Sequence, residues 1–520
     1  MNDRSMLSFA PIRKHFELPD NYPADAEHEA QAATDKYPDS RVDAREIEFV
    51  TIDPAGSLDL DQAVCIQRLD TGYRLHYAIA DVGAFVTPGG ALDREVHERG
   101  QTIYLPDGNV PLHPRILSEQ RASLNAGEDR PAVWWQIDTD AAGQLVRARV
   151  CRAHVHVRER FDYETLQAQY DRGEQLHPAI SLLPEWAELR ASIARERGAI
   201  ELQLPEQDLE HIDGHWQLRL QPRTSMDAWN AQCSLTTGMV AAEIMIAARM
   251  GIIRTLPSPS ERTVAQFRDV ARSLGVTVGE DASPGDVLAS CAPNTPEALS
   301  LHTAATKLLR GAGYATMTGE LPDETWHAGV GARYAHATAP LRRLVDRYSS
   351  ELCLAITDGG WVTLDEHGAT LPDDAATERI PNELLNELEA LPGIMQRSGR
   401  LAADVDNSAI NLAEAVALQD RIGEVFTAVR LRGSDDRHLA EVYVPEPPVI
   451  AQCAGAVPAG ERIEVRLTEA DPARRRVRFV YPAADAGSDP DADSDPDAGN
   501  NTDVHSNTDA RSEPPSTSRQ

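Results

Sequence analysis

At 520 residues the chain is longer than a typical single domain, so we expect one large domain with a smaller module. Hydrophobic residues make up 42% of it and no run of about 18 apolar residues occurs, which predicts a packed protein without a membrane span. The formal net charge of −32 argues against a protein that coats nucleic acid non-specifically. Any polyanionic partner would have to be received in a local basic channel.

The six cysteines are scattered along the chain and form no Cys-x-x-Cys pair. Neither a zinc site nor a disulfide framework is therefore expected. The first residues also lack the apolar core of a signal peptide. We predict a cytoplasmic protein and take it to be a monomer.

The first 44 residues predict a polar N-terminal extension. They contain four prolines, and residues 24–35 form a short helix-like run. The sequence then becomes apolar and β-branched at residues 49–52, which predicts a short strand.

Three aspartates follow this strand and the turn that ends it. Asp53, Asp59 and Asp61 have no lysine or arginine among them. In an extended segment Asp59 and Asp61 share one face, and Asp53 could fold back toward them. Carboxylates held together repel unless a cation lies between them, and a hard divalent ion such as Mg²⁺ suits oxygen ligands. The alternative is an ordinary Asp-rich turn or helix cap.

This segment resembles the signature of the RNB catalytic domain, found in the ribonuclease II and ribonuclease R family. The signature is Thr-Ile-Asp, a spacer (here residues 54–58), Asp, one residue and Asp-Asp. Asp53, Asp59 and Asp61 match three of its four aspartates, and Gln62 stands at the fourth. The resemblance implies a Mg²⁺ or Mn²⁺ site on the three aspartates, with Asp61 catalytic. Because a carboxamide offers a neutral oxygen and two N–H donors, Gln62 leaves open an altered site or an inactive one.

A hairpin is predicted next, with strands at residues 63–69 and 73–79. Further strands are predicted at 132–138 and 144–157. Between these pairs, residues 99–106 resemble another stretch of the family. There Tyr104 takes the place of an aromatic residue that stacks on a base near the cleaved 3′ end. The alternative for Tyr104 is a tyrosine half-buried at a strand end.

The family's second base-clamping aromatic residue would fall at residues 200–206, where the chain has no Phe or Tyr. The strongest predicted helix follows at 226–249, with Ser225 as its N-cap. It is apolar on most faces, which indicates a buried core helix. Amphipathic helices are predicted at 263–274 and 299–309.

Four arginines lie close together at residues 329–347 of this acidic protein. The segment resembles the family's Tyr-x-His-Phe-Thr-Ser-Pro-Ile-Arg-Arg-Tyr-x-Asp. The resemblance places Arg342 on the scissile phosphate, which a guanidinium fork suits, and makes Arg343 a second RNA-binding residue. The alternative for Arg342 is an ion pair with Asp346. His336 fits a structural hydrogen bond better than a catalytic proton transfer. The matching residues are Tyr334, His336, Thr338, Pro340, Arg342, Arg343 and Asp346.

Residues 360–380 are predicted to be a polar loop, and helices return at 382–418. Alternation at 424–430, 438–444, 462–467 and 477–481 then predicts a small barrel, which resembles the family's C-terminal OB-fold RNA-binding domain. Its arginines either contact RNA or protect an edge strand from pairing. They are Arg474, Arg475, Arg476 and Arg478.

We therefore predict an α+β protein in four parts. An N-terminal extension (1–44) precedes an RNB-type catalytic domain (45–410) with a β-sheet core surrounded by helices. A small OB-like barrel (418–482) and a disordered acidic tail (483–520) follow.

The resemblance implies 3′-to-5′ hydrolysis of single-stranded RNA to nucleoside 5′-monophosphates by divalent-metal catalysis. One alternative is an RNB-type protein that holds RNA 3′ ends without cleaving them. Another is a structural protein with no affinity for RNA.

Overall fold

The computed structural model describes residues 7–202, 206–212, 215–221, 223–279, 282–291, 295–373, 376–434, 439–458 and 461–483. The helices are α1 Ala10–His15, α2 Ala24–Ala32, α3 Ala91–Arg99, α4 Tyr163–Asp171, α5 Leu183–Glu196, α6 Ser225–Ala248, α7 Glu261–Ser273, α8 Pro284–Ala289, α9 Pro296–Ala305, α10 Leu344–Thr357, α11 Asn382–Leu388 and α12 Leu391–Leu418.

The strands are β1 Val42–Asp43, β2 Phe49–Ile52, β3 Gln62–Leu69, β4 Gly72–Ala80, β5 Ile103–Leu105, β6 Gly108–Val110, β7 Asp129–Asp140, β8 Leu145–Phe161, β9 Glu206–Ile212, β10 His215–Gln221, β11 Met250–Thr255, β12 Gly313–Thr318, β13 Trp361–Asp365, β14 Gly368–Thr370, β15 Val425–Ser434, β16 Leu439–Pro445, β17 Pro448–Ala454, β18 Arg462–Asp471 and β19 Arg476–Val480.

An eight-stranded sheet forms the centre of the large domain, in the order β14-β13-β8-β2-β3-β4-β7, with β1 beside β8. Strand β7 also pairs with β8, so β8, β2, β3, β4 and β7 form a ring of pairings. The predicted hairpin is confirmed as β3–β4, where Leu69 pairs with Gly72. The predicted α+β class is confirmed as well.

Helix α6 is the buried core helix that the sequence predicts, and it packs beside the sheet in the main hydrophobic core. The predicted cap is wrong by one residue. Thr224 is the N-cap, because its side chain and that of Asp227 bond to each other's backbone N–H in a capping box. By length and composition alone α6 could cross a membrane, but 67% of its most apolar window is buried inside the protein.

The prediction of a loop at 360–380 is wrong, because β13 and β14 extend the central sheet there. Val362 and Leu364 are buried, while the guanidinium groups of Arg74 and Arg147 cover the Trp361 ring. Strand β13 pairs with the distant strand β8, and β14 pairs with β13, so the local pattern did not reveal either strand.

The C-terminal module is a closed barrel with the strand order β15-β16-β17-β19-β18, which confirms the predicted OB-like barrel. The sequence pattern did not predict β17. Pro447 precedes this strand and Pro448 begins it, and the missing N–H groups of both argue against a strand. The structure places Pro448 opposite Pro445 at the end of the β16–β17 pair, where the loss of a donor matters least.

The N-terminal residues pack onto the large domain. Phe9 and Ile12 around α1 share a small hydrophobic core with Ile103 and Leu105 of the β5–β6 hairpin and with one face of α12. Arg13 also forms an ion pair with Asp107 in the turn of that hairpin, with Nη2 2.7 Å from Oδ1. The hairpin therefore rests on α1.

Candidate active site

The acidic turn, residues 53–62, begins directly after β2 and is fixed by a contact with Ser123. Ser123 Oγ accepts a hydrogen bond from the Leu60 N–H at 3.0 Å and donates to the Leu58 carbonyl oxygen at 2.8 Å. Leu60 itself is buried. The chain is thereby held with Asp59 and Asp61 on either side of a buried leucine. Sequence reasoning missed Ser123, because nothing near position 123 signals a contact with position 58 or 60.

The arginine segment, residues 338–342, is fixed by helix α10, which follows it. Asp346, in the first turn of α10, accepts hydrogen bonds from the backbone N–H groups of Thr338 and Ala339 at 2.9 and 2.8 Å. The Arg342 carbonyl oxygen in turn accepts from the Thr102 N–H at 2.9 Å. These bonds hold residues 338–342 as an ordered turn.

The two segments meet across a separation of 280 residues. The Leu341 N–H donates to Asp61 Oδ1 at 2.8 Å, and Arg342 Nε lies 3.6 Å from Asp61 Oδ2. The Asp61 side chain is 5% exposed, whereas that of Arg342 is 47% exposed. The buried carboxylate therefore anchors a guanidinium group that solvent and ligand can still reach.

Burial dominates the electrostatics of the acidic turn. It raises the pKa of Asp53 to about 7, against the opposing charge of Arg160. It raises the pKa of Asp59, and it raises that of Asp61 well above its ordinary value. The charge of Asp59 adds to the rise at both other residues, and the charge of Arg342 lowers the pKa of all three. The three carboxyl groups thus share one local field.

The donor set suits a hard divalent cation that keeps part of its shell open. The Oδ2 atom of Asp53 is buried without a hydrogen-bond partner. A cation would supply that partner and would offset the cost of burying charge. Over the described ranges, no group of three or more His, Cys, Asp or Glu side chains stands close enough to hold a metal ion. Mg²⁺ is commonly held by one or two carboxylates together with waters and substrate phosphates, and the turn fits this pattern.

Tyr104 lies beside the acidic turn, on β5. Its side chain is 49% exposed, while Ile103 and Leu105 on either side of it are buried. Its hydroxyl donates to Asp59 Oδ2 at 3.4 Å. Residues 203–205, part of the range where the second aromatic residue would fall, lie outside the described residues, and Ile200 is buried in another cluster.

Three other predicted site residues make contacts within the protein. Gln62 Nε2 donates to the Thr338 carbonyl oxygen at 2.6 Å. Arg343, not Arg342, is the arginine that pairs with Asp346, through both Nε and Nη2. Because this bidentate pair uses its donors, Arg343 is less suited than Arg342 to the predicted contact with RNA.

His336 is partly buried and lies with Nδ1 2.7 Å from the Tyr314 hydroxyl. Burial lowers its pKa well below the ordinary value. A neutral imidazole in a hydrogen bond agrees with the structural role predicted for it.

A cavity of about 520 Å³ lies elsewhere, against α10 and α11. Lys36, Tyr37, Asp93, Arg347 and Glu351 are among its lining residues. None of the predicted site residues lines it, so the candidate active site is the surface formed by the acidic turn, Tyr104 and Arg342.

Comparison with known proteins shows the family of the chain. The sequence model of the RNB domain matches residues 41–356, and that of the RNase II-type exonuclease C-terminal S1 domain matches residues 424–481. The ribonuclease R of Vibrio cholerae is 30% identical over 353 residues, which are 64% of this chain and 42% of that protein. Since the RNB match covers more than half of the chain, the protein belongs to the RNB-domain family.

Solved structures share the fold. Mycoplasma genitalium RNase R in complex with ribose-methylated single-stranded RNA matches with a TM-score of 0.77 at 19% identity, over 90% of this chain and 77% of that one. Yeast Ssd1, described as a pseudonuclease, matches with a TM-score of 0.60 at 16% identity, over 86% of this chain and 53% of that one. RNB-family exoribonucleases are in general divalent-metal dependent. The chain spans less than half the length of the first curated relatives it matches.

Proposed function

We propose that this protein is a 3′-to-5′ exoribonuclease that hydrolyses single-stranded RNA to nucleoside 5′-monophosphates. The observation that carries the proposal is the contact between Arg342 and Asp61, with Nε and Oδ2 3.6 Å apart. This contact places the exposed guanidinium group of Arg342, which could bind phosphate, against the buried carboxylate of Asp61. The exposed ring of Tyr104 lies beside them.

Each side chain has a distinct task in this proposal. Tyr104 would stack on the 3′-terminal base, since every base presents a π face. Arg342 would donate to the oxygens of the scissile phosphate and stabilise the charge that develops on them. A water would attack phosphorus, the bond to the 3′ oxygen of the preceding nucleotide would break, and a 5′-monophosphate would leave.

One or two of the carboxylates of Asp53, Asp59 and Asp61 would hold Mg²⁺ or Mn²⁺, together with waters and phosphate oxygens. When bound, such an ion activates water and screens phosphate charge. Asp61 also accepts the Leu341 N–H, so it fixes the arginine segment as well.

The test is a 5′-labelled oligoadenylate incubated with and without Mg²⁺, with the products separated by length. We expect stepwise shortening from the 3′ end and release of AMP in Mg²⁺ alone. Asp61→Asn should abolish nearly all turnover, by at least about 10²-fold, while RNA binding is retained. The control is Asp269→Asn, which removes an exposed carboxylate on α7. Equal AMP release by Asp61→Asn and the unaltered protein would refute the catalytic role.

The second candidate is a protein that binds RNA 3′ ends without cleaving them. Gln62 at the fourth aspartate position favours it, and the likeness to a pseudonuclease shows that this fold also occurs without cleavage. Retention of a 3′-labelled oligonucleotide without any shortening in Mg²⁺ would support this candidate. A protein with no RNA affinity in EDTA would contradict both.

A further inference from the structure

Gln62 joins the acidic turn to the arginine segment. Its side-chain Nε2 lies 2.6 Å from the carbonyl oxygen of Thr338, in a partly buried setting. A carboxamide can donate this hydrogen bond, whereas an ionised carboxylate offers only acceptors. An aspartate at this position would place a second acceptor against the carbonyl oxygen and a further charge beside Asp61.

The neighbouring residue holds the same segment by the opposite chemistry. Asp61 Oδ1 accepts from the Leu341 N–H at 2.8 Å. Consecutive residues of the acidic turn therefore grip residues 338–341 at two points, one by donating and one by accepting. Arg342 directly follows Leu341, so the two hydrogen bonds together fix the position of the backbone that carries its guanidinium group.

We propose that Gln62 is a positioning residue, whose donated hydrogen bond holds the segment that carries Arg342 against the acidic turn. In this chain the amide does not serve as a weak substitute for a fourth metal-binding carboxylate. The kinetic part of this inference rests on the proposed function, but the hydrogen bond can be tested without it.

Three substitutions separate the two roles. Gln62→Met keeps the length of the side chain and removes the donor. Gln62→Glu keeps the shape and adds a carboxylate, and Gln62→Asp introduces the residue of the family signature. Gln67→Met is the matched control, because Gln67 is exposed on the same strand and contacts His76 instead.

We expect all three substitutions at position 62 to lower kcat by about tenfold, the effect of one hydrogen bond that acts in the transition state. The Mg²⁺ concentration for half-maximal rate should stay unchanged in Gln62→Met. Amide hydrogen exchange over residues 338–342, measured in EDTA without RNA, should become faster in all three. The control should match the unaltered protein in every measurement.

The opposite results would overturn the inference. If Gln62→Asp or Gln62→Glu cleaves faster and needs less Mg²⁺, position 62 is a metal-binding position that lacks its charge. Unchanged exchange over 338–342 in Gln62→Met would show that the bond positions nothing. If the unaltered protein cleaves no RNA, the proposed function fails, and the exchange measurements still decide whether Gln62 holds the segment.

Discussion

Arg342 and Arg343 are adjacent in the chain but make different contacts in this site. Arg343 is held by Asp346, and Arg342 points to Asp61 with its side chain half-exposed. The sequence suggested Asp346 as the alternative partner of Arg342, at a spacing of four residues, but the structure pairs Asp346 with Arg343, at a spacing of three. Only the resemblance to the RNB family singled out Arg342. The choice depends on where α10 begins, at Leu344, and a sequence pattern does not fix helix ends to one residue.

Asp53 provides a pH-dependent prediction. Because burial raises its pKa to about 7 in the folded protein, the folded state holds this proton more tightly than the unfolded chain does. The contribution of Asp53 to the free energy of unfolding therefore falls as the pH rises from about 4 to about 7, and it is constant above. In EDTA, Asp53→Asn should gain stability relative to the unaltered protein over this range, by at most about 1.4 kcal/mol per pH unit.

The measurement is urea unfolding of both proteins from pH 4 to pH 8, in EDTA and in Mg²⁺. At pH 8, where Asp53 is ionised, Mg²⁺ should reduce the difference in the free energy of unfolding between Asp53→Asn and the unaltered protein. At pH 5 it should have little effect on that difference. Asp269→Asn again controls for the loss of an exposed carboxylate. If the two proteins differ in the free energy of unfolding by the same amount at every pH, the pKa of Asp53 is not raised in the folded protein.

Among the helices and strands, the local sequence pattern predicted those that are stabilised by interactions between residues close in the chain. The β3–β4 hairpin follows from alternation around a tight turn, and α6 follows from a long apolar run behind a cap. Strands β13, β14 and β17 were missed. Each is short or begins with proline, and each exists because a neighbouring strand offers its hydrogen bonds. Tertiary pairing overrode weak local preference at these places.

The β5–β6 hairpin that carries Tyr104 should depend on α1. The Arg13–Asp107 ion pair joins them at the surface, above the shared small core. Arg13→Asp and Asp107→Arg should each raise the KM for RNA by about two- to fivefold, as expected for an exposed pair worth up to about 1 kcal/mol. The double variant, with Arg13→Asp and Asp107→Arg together, should return the KM most of the way to that of the unaltered protein. Saturation curves with the oligoadenylate check this, and three variants indistinguishable from the unaltered protein would show that the pair does not support the hairpin.

The whole molecule combines a net charge of −32 with a partner that we propose to be a polyanion. On the barrel, Arg474 and Arg478 are exposed, and each lies 3.7 Å from an acidic side chain. If they bind RNA, replacing both with Gln should weaken binding. It should also reduce the slope of log K against log salt by about 0.7 for each phosphate that the variant no longer neutralises.

Filter binding in EDTA from 50 to 300 mM salt measures that slope. Arg272→Gln is the matched control, an exposed arginine paired with Asp269 on α7. An unchanged slope in the double variant would show that these two arginines do not bind RNA. Protection of an edge strand is not their role, because β19 pairs with both β17 and β18 in the closed barrel.

The meeting of the acidic turn and the arginine segment is the feature that no local pattern could establish. The two lie 280 residues apart and are joined by backbone and side-chain hydrogen bonds of unrelated elements. Order along the chain, compared with the RNB family, predicted that they would meet. The donor role of Gln62 could not be foreseen, because the sequence shows the amide but not the carbonyl oxygen that it faces.

Helix α12 has a mechanical consequence. Its 28 residues form a rod of about 42 Å. Val405, Ala409 and Ala413 pack in the core beneath the Tyr104 hairpin, while Ala415 and Leu418 pack in the core of the barrel. Helix α12 is therefore packed against both the Tyr104 hairpin and the barrel. If the barrel binds RNA as proposed, a pull of the RNA on the barrel would be transmitted along α12 to the hairpin that carries Tyr104.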